Sequence, residues 1–251
     1  MNNYVMTILA LAIILISGGL LFWYLRGIEA GKEVYLRPIR GYASLDRQTG
    51  LAVETGRVFH VSPGRAGLEG PGNPTSVAAL SILDYLAEQG SKNDVPPIVT
   101  TGDGSLMIGS QDTLRGAYAI VKRESDFNLN MVRFQAASSE PIAYAAGATI
   151  EVDREDLSGN VMVGRFGSEI AFVVEAAERA SLEQILGSDD PIALGAMAPV
   201  TDNLLIGEEL FAADAYLHEK PISLAGLKVQ DTLRLLACAA ILLAAIIYLV
   251  V

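Results

Sequence analysis

Two long uncharged runs bracket this chain and constrain it more than any other feature. The first, Val5 to Leu25, covers 21 residues, with Thr7 and Ser17 its only polar members. At 1.5 Å per residue a helix of that length reaches about 30 Å, the thickness of a bilayer's hydrocarbon core. Trp23 and Tyr24 close it and Arg26 follows, an order suited to a membrane–water interface. A cleaved signal peptide would want a basic n-region, which Met1 to Tyr4 lacks. The second run, Leu235 to Val251, has 17 residues. That is near the lower limit for spanning, and Arg234 can extend it by snorkelling. A buried core helix is the alternative there, and the absence of a polar tail speaks against it.

The 251 residues are 51% hydrophobic and 19% charged, and the terminal runs account for the apolar excess. What lies between has a globular mix and suffices for one substantial α/β domain. The division expected is residues 1–26 as a first membrane segment, 27–231 as the domain and 232–251 as a second membrane segment. Cys238 is the single cysteine, so an internal disulfide is excluded. No Lys or Arg precedes the first run or follows the second, whereas Arg26, Lys32, Arg37 and Arg40 lie inside one and Lys220, Lys228 and Arg234 inside the other. The positive-inside rule therefore predicts a cytoplasmic domain with both termini outside. The net charge of −11 is uneven: residues 26–65 carry +3, while residues 140–219 carry three basic and sixteen acidic groups. An anionic bilayer surface would attract the first block and repel the second. The acidic balance argues against a nucleic-acid partner.

Between the runs, β-rich stretches alternate with helical patterns. Strands are expected at Arg57–Ser62, Pro97–Thr101, Leu129–Ala136, Asn160–Phe166, Leu182–Leu186 and Ala196–Val200. Helices are expected at Ser44–Thr55, Pro74–Gln89, from Gly104 to about Glu124, from Ile142 to Asp156, from Gly167-Ser168 to Ala180 and at Glu208–Leu217. Strands separated by such helices imply βαβ crossovers. The fold class expected is α/β, Rossmann-like and three-layer, with a mainly parallel sheet, flanking helices and a transmembrane helix at each end. Ligands of such sheets bind at the carboxyl ends of the strands.

Three strand ends carry glycine and a small polar residue, and two of them supply the candidate ligand site. Gly64-Arg65-Ala66-Gly67-Leu68-Glu69-Gly70-Pro71-Gly72-Asn73, with Ser62 before it, could curl its amides around an anion while Arg65 adds a charge-assisted contact. It is neither GxxxxGK[ST] nor a clean GxGxxG, and a tight turn is the simpler reading. Gly102, Asp103 and Ser105 form the second group, in which Asp103 could bind a ribose or metal or act as a base; a helix N-cap is the simpler reading. Asp112 and Arg115 have the spacing of a helix-surface ion pair. His60 sits between Phe59 and Val61 in a strand and reads as structural. No HxxxH, HExxH, CxxC or GxSxG spacing occurs, so no metal, cofactor or catalytic residue is assigned. Paired carboxylates, Glu155-Asp156 among them, read as solvated faces. Gly18-Gly19 and the Ala240/Ala244 pair could permit close helix approach.

The segments GRVFHVSPGRAGL, ALSILDYLAEQ, PPIVTTGD, QDTLRGAY, PIAYAAGATIEV, GNVMVGRFGSEIAFVVEAAERA and LIGEELFAADAYL, with apolar helices at both ends, resemble a bacterial membrane protein family called domain of unknown function 6754. The resemblance spans most of residues 40–250. It implies a membrane-anchored α/β domain in a bacterial inner membrane and supplies no reaction. The leading expectation is a homo-oligomeric scaffold or ring. A sensor or weak hydrolase binding a small anionic ligand or nucleotide, and an accessory subunit packed against other membrane proteins, are the alternatives.

Overall fold

The computed structural model describes residues 2–70, 73–137, 139–154 and 156–250. Pro71 and Gly72 of the glycine-rich loop, and Glu155, lie outside the described residues. In chain order the elements are α1 (Asn2–Glu29), α2 (Arg40–Thr55), β1 (Val58–Gly64), α3 (Asn73–Lys92), β2 (Ile98–Thr101), α4 (Gly104–Ile120), β3 (Val132–Phe134), α5 (Pro141–Val152), β4 (Leu157–Arg165), α6 (Ile170–Arg179), β5 (Glu183–Ser188), α7 (Pro191–Met197), β6 (Leu204–Ile206), α8 (Ala213–Leu217) and α9 (Pro221–Val250). They divide into two compact units, one of Arg37–Leu217 and one of Met1–Leu36 with His218–Val251.

The Arg37–Leu217 unit is an α/β fold on a six-stranded sheet in the order β3-β2-β1-β4-β5-β6. Every pairing is parallel. The period of two sorts each strand's side chains onto opposite faces. Phe59, Val61, Val99, Val161, Val163 and Ile185 meet α2, α3, α4 and α8 in one core. Met162 and Leu186 meet α5, α6 and α7 in the other. The largest of these side chains are fully buried, each stabilising the fold by about 1.5–3 kcal/mol.

Local chemistry sets the helix ends. Asp103 accepts from the amides of Ser105 and Leu106 and so caps α4. Asp190 accepts from Ile192 N–H, with Pro191 in the first turn of α7. Gly56, at φ +64°, closes α2 in the left-handed conformation. Helix α2 runs antiparallel to the strands, from Gly41 beside Leu205 of β6 to Gln48 beside Gly159 and Ser158 of β4. The two ends of the unit meet where α2 begins: Tyr216 donates to the Arg37 carbonyl at 2.8 Å, and its ring stacks on Tyr42 at 4.8 Å.

Four local expectations are corrected. Ala196–Val200 is the end of α7 and the turn after it, and the sixth strand is Leu204–Ile206. The Asp190-Pro191 cap starts a helix in a stretch whose short apolar run alone suggests a strand. Leu129–Ala136 shrinks to Val132–Phe134, because Asn128 accepts from Asn130 N–H and bends Leu129–Met131 into a 3-10 turn. Glu208–Leu217 is a 3-10 turn, Gly207–Ala212, followed by α8. Arg115 does not pair with Asp112. Its guanidinium lies 5.5 Å from the Phe127 ring centroid, where a cation–π contact replaces a solvated ion pair.

In the other unit, α1 and α9 are two helices long and apolar enough to cross a bilayer, over Tyr4–Glu29 and Pro221–Tyr248. They pack on one another, and Tyr24 Oη lies 2.8 Å from Thr232 Oγ1. Gly18 and Gly19 face open space and do not form that contact, and Ala240 and Ala244 are exposed.

Candidate functional site

The strand order reverses between β1 and β4. The connection leaving β1 passes over one face of the sheet and that leaving β4 over the other, so their carboxyl ends form a topological switch point, the crevice position at which open α/β sheets bind ligands. The backbone is irregular at that point. The β1–β4 register shifts between Ser62 and Gly64, and Gly64 adopts φ +100°. A Cβ on Gly64 would lie 2.9 Å from Arg165 N, and one on Gly164 would lie 2.1 Å from the Pro63 carbonyl oxygen. Both positions require glycine.

The sequence-derived residues Ser62, Gly64, Arg65, Gly67, Asn73, Gly102, Asp103 and Ser105 do gather at this end, and the structure binds them to one another. Ser62 is fully buried; its hydroxyl donates to the Thr100 carbonyl at 2.8 Å and lies 2.6 Å from Tyr144 Oη. Arg65 Nε donates to Glu169 Oε1 at 2.5 Å. Gly102 donates its N–H to the Gly64 carbonyl at 3.2 Å, and a Cβ on it would lie 2.4 Å from Arg65 Cβ. Gly67 lies against the Asp103 carboxylate. Ser105 Oγ donates to Asp103 at 2.5 Å and accepts from Leu68 N–H at 2.9 Å. Asn73 donates to the Leu68 carbonyl. The glycine-rich turn is thus tied down by the cap of α4, and the capping role of Asp103 is the one its geometry displays.

Three further residues complete the site. Glu169 stands at the start of α6, its side chain 3% exposed. It also accepts from Gly167 N–H at 2.8 Å. Its charge compensates that of Arg65, so the guanidinium is directed at a carboxylate within the protein. Tyr144 of α5 fills the space behind, and burial pushes its phenol up to about 12. Arg165 closes β4 with its guanidinium 3.8 Å from Asp189. The Gly167-Ser168 punctuation after β4 signals this corner in the sequence. Glu169 itself carries no local signature, because its partner is 104 residues away.

A row of buried polar side chains crosses the sheet one layer below. His60 Nε2 lies 2.8 Å from Thr100 Oγ1 and Nδ1 lies 2.7 Å from Asn160 Oδ1. Asn160 reaches Gln184 at 3.3 Å, and Gln184 donates to the Val174 carbonyl at 3.1 Å. Burial lowers the His60 imidazole to about 4, so it stays neutral and bridges β2 and β4. Among the described residues no cluster of three His, Cys, Asp or Glu could hold a metal ion.

No curated relative and no solved structure matches the chain. A family profile does, over residues 2–251, essentially its whole length. On that match, and with the α/β unit and two apolar terminal helices described above, the chain belongs to the family called Domain of unknown function (DUF6754).

Proposed function

We propose that this chain is a two-span protein of a bacterial inner membrane whose α/β unit faces the cytoplasm and self-associates there as a scaffold or ring. The observation that carries the reading is the outer face of α5. Ile142 and Ile150 are 62% and 70% exposed, and Ala143 and Ala146 are exposed between them. A solvated helix face ordinarily carries charge, yet the only charged residue of α5, Glu151, is turned to Arg133. Phe172 of α6 and Ile192 of α7 extend exposed apolar surface along the same helical layer. A chain of net charge −11 repels its own copies. An uncharged face is where two copies meet without that repulsion, and tethering in a bilayer raises their effective concentration.

The test is the mass of the protein extracted in mild detergent or in native-lipid discs. Wild type should be a homo-oligomer and Ile142→Lys/Ile150→Lys a smaller species with the same far-ultraviolet circular dichroism spectrum and a midpoint that no longer depends on protein concentration. A wild-type monomer at high concentration sinks the reading, and a discrete complex with other membrane proteins favours an accessory subunit instead.

The reversal of strand order between β1 and β4 supports a second reading, a sensor of a small anionic ligand or nucleotide that would displace Glu169 from Arg65. A midpoint that no nucleotide or sugar phosphate raises would count against it.

A further inference from the structure

We propose that the opposite, amino-terminal end of the sheet holds a binding pocket for a soluble organic phosphate with an apolar body. A cavity of about 620 Å³ opens there, where α2 and α6 end and β4 begins. That volume falls within the usual range for small-molecule sites. Arg57, Arg154 and Arg179 reach it from three separate segments, and Leu51, Leu157 and Leu182 supply its apolar wall. Asp153 is the one carboxylate among its described lining residues.

Residues 140–219 hold only three basic groups, Arg154, Arg165 and Arg179, against sixteen acidic ones. Two of the three line this cavity. Arg154 is held by Asp156, at 2.9 and 2.7 Å, which fixes its position and neutralises it. Arg57 and Arg179 form no ion pair among the described residues. Two guanidiniums match the charge of one phosphate monoester, which they can also grip through paired N–H donors. Arg179 in the last turn of α6 also suits that helix's dipole. Arg57 follows the Gly56 cap of α2 with its N–H on the Ala52 carbonyl, so it too stands at the carboxyl end of a helix dipole. The pocket lies one length of α2 from the paired ends of the unit at Arg37 and Tyr216, which is about 24 Å. It shares no residue with the β1–β4 crevice or with the α5 face.

The experiment titrates the full-length protein in zwitterionic lipid discs with 1-naphthyl phosphate, inorganic phosphate and 1-naphthol, read by calorimetry. Naphthyl phosphate should bind saturably with a Kd of about 1 mM or tighter, and more tightly than either fragment. Arg57→Gln and Arg179→Gln should each weaken it about tenfold, with the ligand-free midpoint unchanged because both side chains are exposed. Arg123→Gln, outside the described lining of the pocket, should have no effect. Competition by short-chain phosphatidic acid would assign the same chemistry to a lipid headgroup. No saturation by about 10 mM, equal binding of naphthol, or binding indifferent to both substitutions would overturn the proposal.

Discussion

His60 shows how much one buried side chain can impose on this protein. Its imidazole is fully buried between Thr100 and Asn160, and burial lowers it from 6.5 to about 4. Between those values the unfolded chain binds a proton that the folded one refuses. The contribution is therefore complete above pH 6.5 and is lost as the pH falls towards 4, up to about 3 kcal/mol. The midpoint of wild type should fall over this range more steeply than that of His60→Gln; parallel curves would contradict the assignment. Glycines give a second set of outcomes. Gly64→Ala and Gly164→Ala force a Cβ against backbone and should cost about 3 kcal/mol or prevent folding. Gly116→Ala, exposed within α4 with open space at its Cβ, should stabilise by about 0.5–1 kcal/mol. Urea unfolding of the three variants checks the contrast.

At the scale of elements, the candidate crevice is a set of loop-to-helix ties. Asp103 both caps α4 and orients Ser105, which accepts from the glycine-rich turn. Asp103→Ala should cost about 1–2 kcal/mol, whereas Asp103→Asn keeps an acceptor and should cost less; thermal melts of both settle the order. The Arg65–Glu169 pair joins the β1 loop to α6. Glu169→Gln removes the carboxylate charge that faces the Arg65 guanidinium at a nearly buried position and should cost about 3 kcal/mol. Equal stability of wild type and variant would mean that the β1 loop is held without the pair. Short elements show why local patterns mislead here. β3 and β6 are three residues each, too short for their own periodicity to announce them, and they exist because β2 and β5 offer them a parallel edge.

At the scale of the whole molecule, the proposed cytoplasmic placement has a direct check. Asp112 is exposed on α4. A Cys238→Ser/Asp112→Cys chain should resist a membrane-impermeant maleimide in intact cells and react after lysis; labelling of intact cells would reverse the topology. Much of this architecture was legible in the sequence. The terminal helices, the α/β class, the parallel sheet and most elements follow from hydropathy period, Gly/Pro punctuation and run length, which are local properties of the chain. The gathering of Ser62, Gly64, Arg65, Gly67, Asn73, Gly102, Asp103 and Ser105 was legible too, because parallel strands put all their following loops at one end. Tertiary structure alone decided what those residues do. Arg65 is answered by Glu169 and Ser62 by Tyr144, partners 104 and 82 residues away, and no local rule specifies such pairs. The arginine-lined cavity is of the same kind. Arg57, Arg154 and Arg179 are unremarkable in sequence and become neighbours only because three segments meet at the amino-terminal end of the sheet. Local periodicity determines which elements form; long-range packing determines which side chains meet.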